Sequence, residues 1–279
     1  MDNKCNGIVI SGDSEIHYEI IGEGVPVLML HGWSVDRDLM KGCLEPIFSR
    51  TSGKYRRIYL DLPGMGQSKA GDSVRNADHM LDAILAFVDQ VIPGEHLLLA
   101  GESFGCFLAR GFLRLRSEWI DGLLLICPCV IPGAIPRDVP LLRVLRFEKD
   151  YFDTIRDEEK NGFLSFHAVQ THDVYTQYKT DIEPAFSRYD RDFLDNRLDG
   201  SFSYPLEDLP VPFDKPALIL SGRQDHMVGY KNPFRLTEDY TRATFVALDM
   251  AGHNLQIEQK DLFEVLVQDW LQRLSEETV

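Results

Sequence analysis

The chain contains 279 residues, of which 44% are hydrophobic and 26% charged, with 21 Gly and 14 Pro. This composition excludes a disordered, collagen-like or coiled-coil protein and predicts a globular fold. Because 29 Lys and Arg stand against 44 Asp and Glu, the formal net charge is −15, and we expect neither a nucleic acid nor a membrane surface as partner.

The cysteines and the amino-terminal residues indicate the compartment. The cysteines are odd in number and lack a paired C-x-x-C spacing, which predicts reduced thiols rather than disulfides or a zinc site: Cys5, Cys43, Cys106, Cys127 and Cys129. No amino-terminal stretch is apolar enough for a signal peptide, and the most apolar segment, 122–136, is broken by two prolines. We therefore expect a cytoplasmic protein without a membrane span.

Short apolar runs alternate with amphipathic stretches along most of the chain. After a predicted hairpin at 8–11 and 15–21, apolar runs follow at 26–30, 57–60, 96–100, 122–127, 217–220 and 244–248. Helical spacing of apolar residues predicts helices at 78–91, 104–115 and 262–274. Runs such as VLML and LLLIC are apolar on both strand faces, as in a parallel sheet covered by helices. The pattern predicts an α/β fold with a doubly wound, mostly parallel sheet.

One long segment interrupts this alternation. Residues 132–211 show no strand pattern and are rich in aromatic residues: Phe147, Tyr151, Phe152, Phe163, Phe166, Tyr175, Tyr178, Phe186, Tyr189, Phe193, Phe202 and Tyr204. We interpret the segment as an inserted helical cap whose aromatics mostly form its own core. The predicted core domain then comprises residues 1–131 and 212–279, and the cap residues 132–211.

A candidate nucleophile follows the apolar run HLLLA. The residues Gly101-Glu102-Ser103-Phe104-Gly105 give the pattern G-x-S-x-G between a predicted strand and a predicted helix. The sharp turn holds the serine in strained backbone geometry, and side chains at the glycine positions would clash with the crossing strand and helix. A serine that only caps the helix is the alternative.

A serine hydroxyl needs a neighbouring base and an orienting carboxylate to act as a nucleophile. Asp225 follows the run ALIL, and His253 follows the run TFVAL, so both are expected at strand ends. The order Ser103, Asp225, His253 is the order that a nucleophile-elbow fold imposes on its triad. We predict that these three residues form a catalytic triad, with His226 as a loop residue beside it.

Four landmarks together resemble the α/β-hydrolase superfamily over essentially the whole chain. They are His31-Gly32-Trp33, the loop DLPGMGQS from Asp61, the serine turn, and the paired Asp225 and Gly252-His253 segments. The resemblance implies the α/β-hydrolase fold, a Ser-His-Asp hydrolase and a helical lid after the sixth strand. Because position 103 is Ser, relatives with an Asp nucleophile are disfavoured.

Each site residue receives a predicted role. Ser103 attacks an acyl carbonyl, His253 transfers the proton, and Asp225 fixes the imidazole tautomer. The backbone N–H groups of Trp33 and Phe104 are predicted to form the oxyanion hole. His31 and Asp61 are expected to shape their loops by hydrogen bonding. No metal-ligand or phosphate-loop pattern is present, so we expect neither a metal nor a cofactor.

The function predicted from these residues is a serine hydrolase acting on a small or medium apolar acyl substrate. A carboxylic ester is favoured, cleaved through an acyl-enzyme beneath the aromatic cap. A proline-iminopeptidase-like aminopeptidase is the main rival because acids in the cap could bind a free amine: Glu148, Asp150, Asp153, Asp157, Glu158 and Glu159. A thioesterase, a C–C bond hydrolase and a ligand receptor that only retains the fold also remain open.

Overall fold

The computed structural model describes residues 3–51, 53–132, 137–206, 209 and 211–277. Ten strands lie in this part of the chain: β1 Lys4–Ser11, β2 Ser14–Ile21, β3 Val25–Leu30, β4 Tyr55–Leu60, β5 Leu97–Glu102, β6 Ile120–Ile126, β7 Arg146–Phe147, β8 Val169–Gln170, β9 Ala217–Gly222 and β10 Ala243–Leu248. The α-helices that it contains are α1 Arg37–Phe48, α2 Ala77–Val91, α3 Phe104–Arg116, α4 Lys149–Phe152, α5 Asp157–Leu164, α6 His172–Asp181, α7 Lys231–Arg235, α8 Leu255–Glu258 and α9 Lys260–Glu277.

Eight strands form one mostly parallel sheet in the order β1-β2-β4-β3-β5-β6-β9-β10. The β1–β2 and β2–β4 pairs are antiparallel, and all the others are parallel. Every residue of β5 and β9 is buried, because helices cover both faces of the sheet centre. The predicted α/β-hydrolase architecture is confirmed. Since parallel strands share one carboxyl edge, the residues after β5, β9 and β10 meet there.

The helices bury the apolar stripes that their sequences predict. Helix α2 begins after Asn76, whose side chain accepts a hydrogen bond from the amide of His79, and buries one face lined by Met80, Leu81, Ile84, Phe87 and Val88. Helix α3 starts directly after Ser103 and is buried along most of its length. No helix in the described residues is long and apolar enough to cross a membrane.

Between β6 and β9 the chain forms short helices and turns. The rings of Phe152, Phe163, Tyr175 and Tyr178 pack together with centroids 5.1 to 6.4 Å apart, so many of the aromatics form the core of this segment. Residues 132–211 show no strand pattern in the sequence, yet β7 and β8 lie within them and pair in parallel over two residues each. They are too short to show a period-two pattern. The boundaries of the cap stay a prediction.

Candidate active site

Ser103 occupies the sharp turn between β5 and α3. Its φ of 51° and ψ of −114° lie in a region that residues other than glycine rarely adopt. The flanking glycines are required sterically: a Cβ on Gly105 would lie 2.1 Å from the carbonyl oxygen of Leu30, and one on Gly101 2.7 Å from the amide of Cys106. The turn therefore has the strain and the steric need for glycine that the sequence predicts.

The three residues predicted to form the triad are joined in series by hydrogen bonds. His253 Nδ1 lies 2.8 Å from Asp225 Oδ2, and His253 Nε2 lies 2.9 Å from Ser103 Oγ. An ionised carboxylate only accepts, so in the neutral ring the proton is on Nδ1 and Nε2 is left to accept from the serine hydroxyl. The structure thus brings together residues that are 150 positions apart in the chain.

Asp225 is fully buried, and its carboxylate has partners on both oxygens. Oδ1 accepts from the amides of Met227 and Val228 at 2.8 and 3.0 Å, while Oδ2 accepts from His253. Burial acts to raise the pKa of Asp225, but the charge and hydrogen bonds of its partners outweigh burial and lower the pKa. The group is therefore held ionised against the imidazole.

The electrostatics of His253 favour the protonated ring. Burial acts to lower the pKa of His253, yet the charge and hydrogen bond of Asp225, aided by the charge of Glu102, raise the pKa above its ordinary value. A ring that accepts a proton readily is suited to general-base work. The arrangement is able to take the hydroxyl proton of Ser103 and to stabilise the resulting cation.

Ser103 and His253 open into a cavity of about 470 Å³, within the size range of small-molecule sites. Its apolar lining comes from Trp33, Phe104, Pro132, Leu198, Met227 and Val228. The aromatic rings in this lining are those of Trp33 and Phe104, which lie outside residues 132–211. The expectation that cap aromatics bury the substrate stays a prediction. A larger cleft of about 690 Å³ lies beside α6 and α8, and neither Ser103 nor His253 lines it.

The two predicted oxyanion donors lie on neighbouring segments beside Ser103. Phe104 is the first residue of α3, so its N–H has no partner within the helix. Trp33 follows β3, and its ring meets the ring of Phe104 edge to face at 5.0 Å. The two segments therefore pack against each other beside Ser103. Their role as oxyanion donors stays a prediction.

Glu102 was missed by the sequence analysis, which treated it only as a variable position of the serine motif. Its side chain is 3% exposed, and one carboxylate oxygen lies 3.6 Å from His253 Nε2. The amide of Gly32 donates a hydrogen bond to it, and burial raises its pKa to about 7. The sequence signal that could have identified Glu102 is its position as a lone acid at the end of the apolar strand β5.

Glu258 is a second buried acid that the sequence analysis did not single out. Its Oε1 accepts from the amides of Ala168 and Val169 at 2.6 and 3.0 Å, and its Oε2 accepts from the amide of Gly252 at 2.5 Å. Burial raises its pKa to about 7. One carboxylate thus joins the segment between β6 and β9 to the loop that carries His253.

The remaining polar candidates have the structural positions expected of them. His31 Nε2 accepts from the amide of Leu62 at 2.9 Å, and the carboxylate of Asp61 accepts from the amide of Gln67. These contacts shape the loops, as predicted. His226 lies in the loop after β9, with its ring 5.3 Å from the ring of Phe166.

Ligand-type atoms of Cys127, Asp225 and His253 lie within 4.8 Å of one another. Burial raises the pKa of the Cys127 thiol well above its ordinary value, whereas metal binding requires the thiolate. Asp225 and His253 already hydrogen bond to each other. The donor set therefore fits a proton-transfer network better than a metal site.

Fold and sequence comparison together define the class. Residues 27–265 match the alpha/beta hydrolase family, and the chain belongs to this family. The chain is 26% identical over 271 residues to a pimeloyl-[acyl-carrier protein] methyl ester esterase of Shewanella woodyi, covering 93% of this chain and 99% of the relative.

Two further proteins resemble the chain over nearly their whole length. A 2-hydroxy-6-oxo-6-(2'-aminophenyl)hexa-2,4-dienoic acid hydrolase of Metapseudomonas resinovorans is 22% identical, with 97% of this chain and 92% of the relative covered. The crystal structure of an alpha/beta superfamily hydrolase from Oenococcus oeni superimposes with a TM-score of 0.87 at 28% identity, covering 96% of this chain and 99% of that one.

Proposed function

We propose that the protein is a serine hydrolase that cleaves a carboxylic ester through an acyl-enzyme. The observation that carries the proposal is the chain of hydrogen bonds from Asp225 through His253 to Ser103, at 2.8 and 2.9 Å, ending at the Ser103 cavity. A serine with only a structural role would need neither the strained turn at Ser103 nor the buried imidazole of His253. The three groups have the separations that nucleophilic catalysis requires.

In the first half of the reaction, the Ser103 oxygen attacks the ester carbonyl while His253 Nε2 takes the hydroxyl proton. Asp225 stabilises the imidazolium and keeps Nδ1 protonated. The tetrahedral intermediate collapses as His253 returns the proton to the departing alcohol. In the second half, His253 Nε2 takes a proton from water as the water oxygen attacks the acyl-enzyme carbonyl. The second tetrahedral intermediate then collapses as His253 returns this proton to the Ser103 oxygen, which releases the acid and restores Ser103 and the neutral imidazole.

The developing negative charge on the carbonyl oxygen needs fixed donors. We assign this role to the backbone N–H groups of Trp33 and Phe104. Each such donor stabilises the transition state by roughly 3 to 4 kcal/mol. The edge-to-face ring contact packs the segments that carry the two donors against each other.

The cavity favours a small or medium acyl group. Its side chains are mainly apolar, and burial of apolar substrate area contributes about 25 cal/mol per Å². The Shewanella woodyi relative is named for a methyl ester, and esters of short alcohols fit the same chemistry here. The alternative of an aminopeptidase rested on acids in the cap, and none of those six acids is among the described residues that line the Ser103 cavity.

Hydrolysis of short p-nitrophenyl esters and labelling by a fluorophosphonate probe test the proposal. The wild-type protein should turn over the esters and take up the probe, and Ser103→Ala should abolish both. Ser187→Ala, at an exposed serine in a short turn, is the matched control and should behave like the wild type. Ester turnover that survives Ser103→Ala, or no turnover and no labelling of the wild type, would refute the proposal.

A further inference from the structure

Arg137 brings a positive charge to the cavity that contains Ser103 and His253. The charge lies near enough to His253 to act against the rise in the pKa of its imidazole. The proposed cleavage assigns no role to this arginine. Because the chain has a net charge of −15, a cation that lines the cavity of the nucleophile is unexpected unless it has a function.

Protein contacts orient the guanidinium of Arg137 but do not use all of its N–H donors. Nε donates to the carbonyl oxygen of Ile131 at 2.8 Å, Nη1 to that of Met227 at 2.9 Å, and Nη2 to the Cys129 thiol at 3.5 Å. Arginine has five N–H groups. One N–H on each terminal nitrogen is therefore left without a protein acceptor in the part of the chain that the structure describes.

The charge also lacks an acidic partner among the described residues. Its three acceptors are neutral, and the neighbouring Asp138 instead pairs with Lys231 at 2.7 Å. Asp199 is the acid in the cavity lining, and its Oδ1 accepts from the amide and hydroxyl of Ser201 at 3.0 and 2.8 Å. The oriented fork of Arg137 is thus available to an anion in the cavity.

We propose that Arg137 binds a carboxylate of the substrate, so that preferred substrates are esters carrying a second, anionic carboxylate. Two parallel N–H donors on a planar cation match the two oxygens of a carboxylate. The apolar lining holds the carbon chain between the carboxylate and the ester. This inference rests on the proposed ester hydrolysis and specifies its substrate class.

Matched pairs of substrates isolate the carboxylate. Monomethyl glutarate and its neutral monoamide place the group on the acyl side of the ester. 3-Acetoxypropionate and its amide place the group on the alcohol side. For each pair, the ratio of kcat/KM for the anion to kcat/KM for the amide measures recognition of the charge. The wild-type protein should prefer the anion in at least one pair, and that pair identifies the side.

Arg137→Gln removes the cation, and Arg137→Lys keeps the charge without the planar fork. Arg143→Gln, at an exposed arginine outside the cavity lining, makes the same change in net charge and is the control. We expect Arg137→Gln to lower the anion-to-amide ratio about 10- to 100-fold, chiefly through KM. Arg137→Lys should retain part of the preference, and Arg143→Gln should retain all of it.

A purely structural role for Arg137 would lower turnover of anion and amide alike and leave the ratio unchanged, which would overturn the inference while ester hydrolysis stands. Binding of glutarate to the Ser103→Ala protein, followed by calorimetry, decides the same question without turnover. Loss of that binding in the Ser103→Ala, Arg137→Gln double variant would support the inference. If glutarate binds both proteins equally, or neither, the inference is wrong.

Discussion

The carboxylate of Glu258 accepts a hydrogen bond from the amide of Gly252 at 2.5 Å, and Gly252 immediately precedes His253. The other oxygen of the same carboxylate accepts from the amides of Ala168 and Val169. The histidine loop and the segment between β6 and β9 therefore share one buried acceptor. We therefore expect a substitution at Glu258 to change both the stability of the protein and its catalytic rate.

Glu258→Gln should destabilise the protein by about 1 to 3 kcal/mol, because one carboxylate oxygen becomes an NH₂ group facing a backbone donor. The His253 loop loses an anchor, and kcat should fall about 10- to 100-fold through misalignment. Urea unfolding and ester kinetics measure the two effects. Glu276→Gln, on the exposed end of α9 and bonded to Gln272, is the control. Equal stability and kcat in the two variants would contradict this account.

Asp225→Asn should leave the fold intact and slow ester turnover about 10⁴-fold. The amide preserves the shape of the side chain but no longer holds the Nδ1 proton or stabilises the imidazolium. Ser103→Ala and His253→Ala should cost more, about 10⁶-fold. Steady-state kinetics, with circular dichroism to confirm folding, compare the three. A decrease of less than about tenfold in Asp225→Asn would assign the orienting role to another acid.

The pH dependence should report the two carboxylates near His253. The proposed base is the neutral imidazole, so kcat/KM falls as the pH drops below the pKa of His253. Burial acts to lower that pKa, but Asp225 and then Glu102 raise it, so the midpoint should lie above the ordinary value of about 6.5.

Glu102→Gln removes the negative charge 3.6 Å from His253 Nε2, and the acidic limb should move by about one unit to lower pH. Glu118→Gln, at an exposed acid, should leave the limb unchanged. Profiles of kcat/KM between pH 5 and 10 test both statements. A purely structural Glu102 would reduce the rate at every pH without moving the midpoint, and that result would remove its electrostatic role.

Gly105→Ala should prevent correct folding or lower stability by several kcal/mol, since the added Cβ would lie 2.1 Å from the carbonyl oxygen of Leu30. Gly162→Ala is the matched control. A Cβ there has 3.7 Å to the nearest atom, the hydroxyl of Tyr178, and the residue lies within α5. Alanine at this position should be neutral or stabilising. Thermal unfolding compares the variants. Similar melting temperatures of both would argue against the close approach of Gly105 to the backbone of Leu30.

The order of elements and the sheet class could be predicted from the sequence, because runs apolar on both faces occur only where helices cover both sides of a strand. Ser103 could be located because a strained turn between two glycines has few alternatives. The β7–β8 pair could not be predicted, because a strand of two residues shows no periodic pattern. Arg137 could not be placed beside Ser103 either, because nothing local distinguishes it from the exposed Arg143.

The sequence by itself determined the fold family, the chain order of Ser103, Asp225 and His253, and the glycines that the serine turn requires. These are local properties, because each follows from a few neighbouring residues and the end of one strand. Only the tertiary structure decided that Glu102 lies against His253, that Glu258 joins two distant segments, and that Arg137 lines the same cavity as Ser103. Burial and long-range contacts give these charged residues their properties. Neither can be deduced from the residues that adjoin them in the sequence.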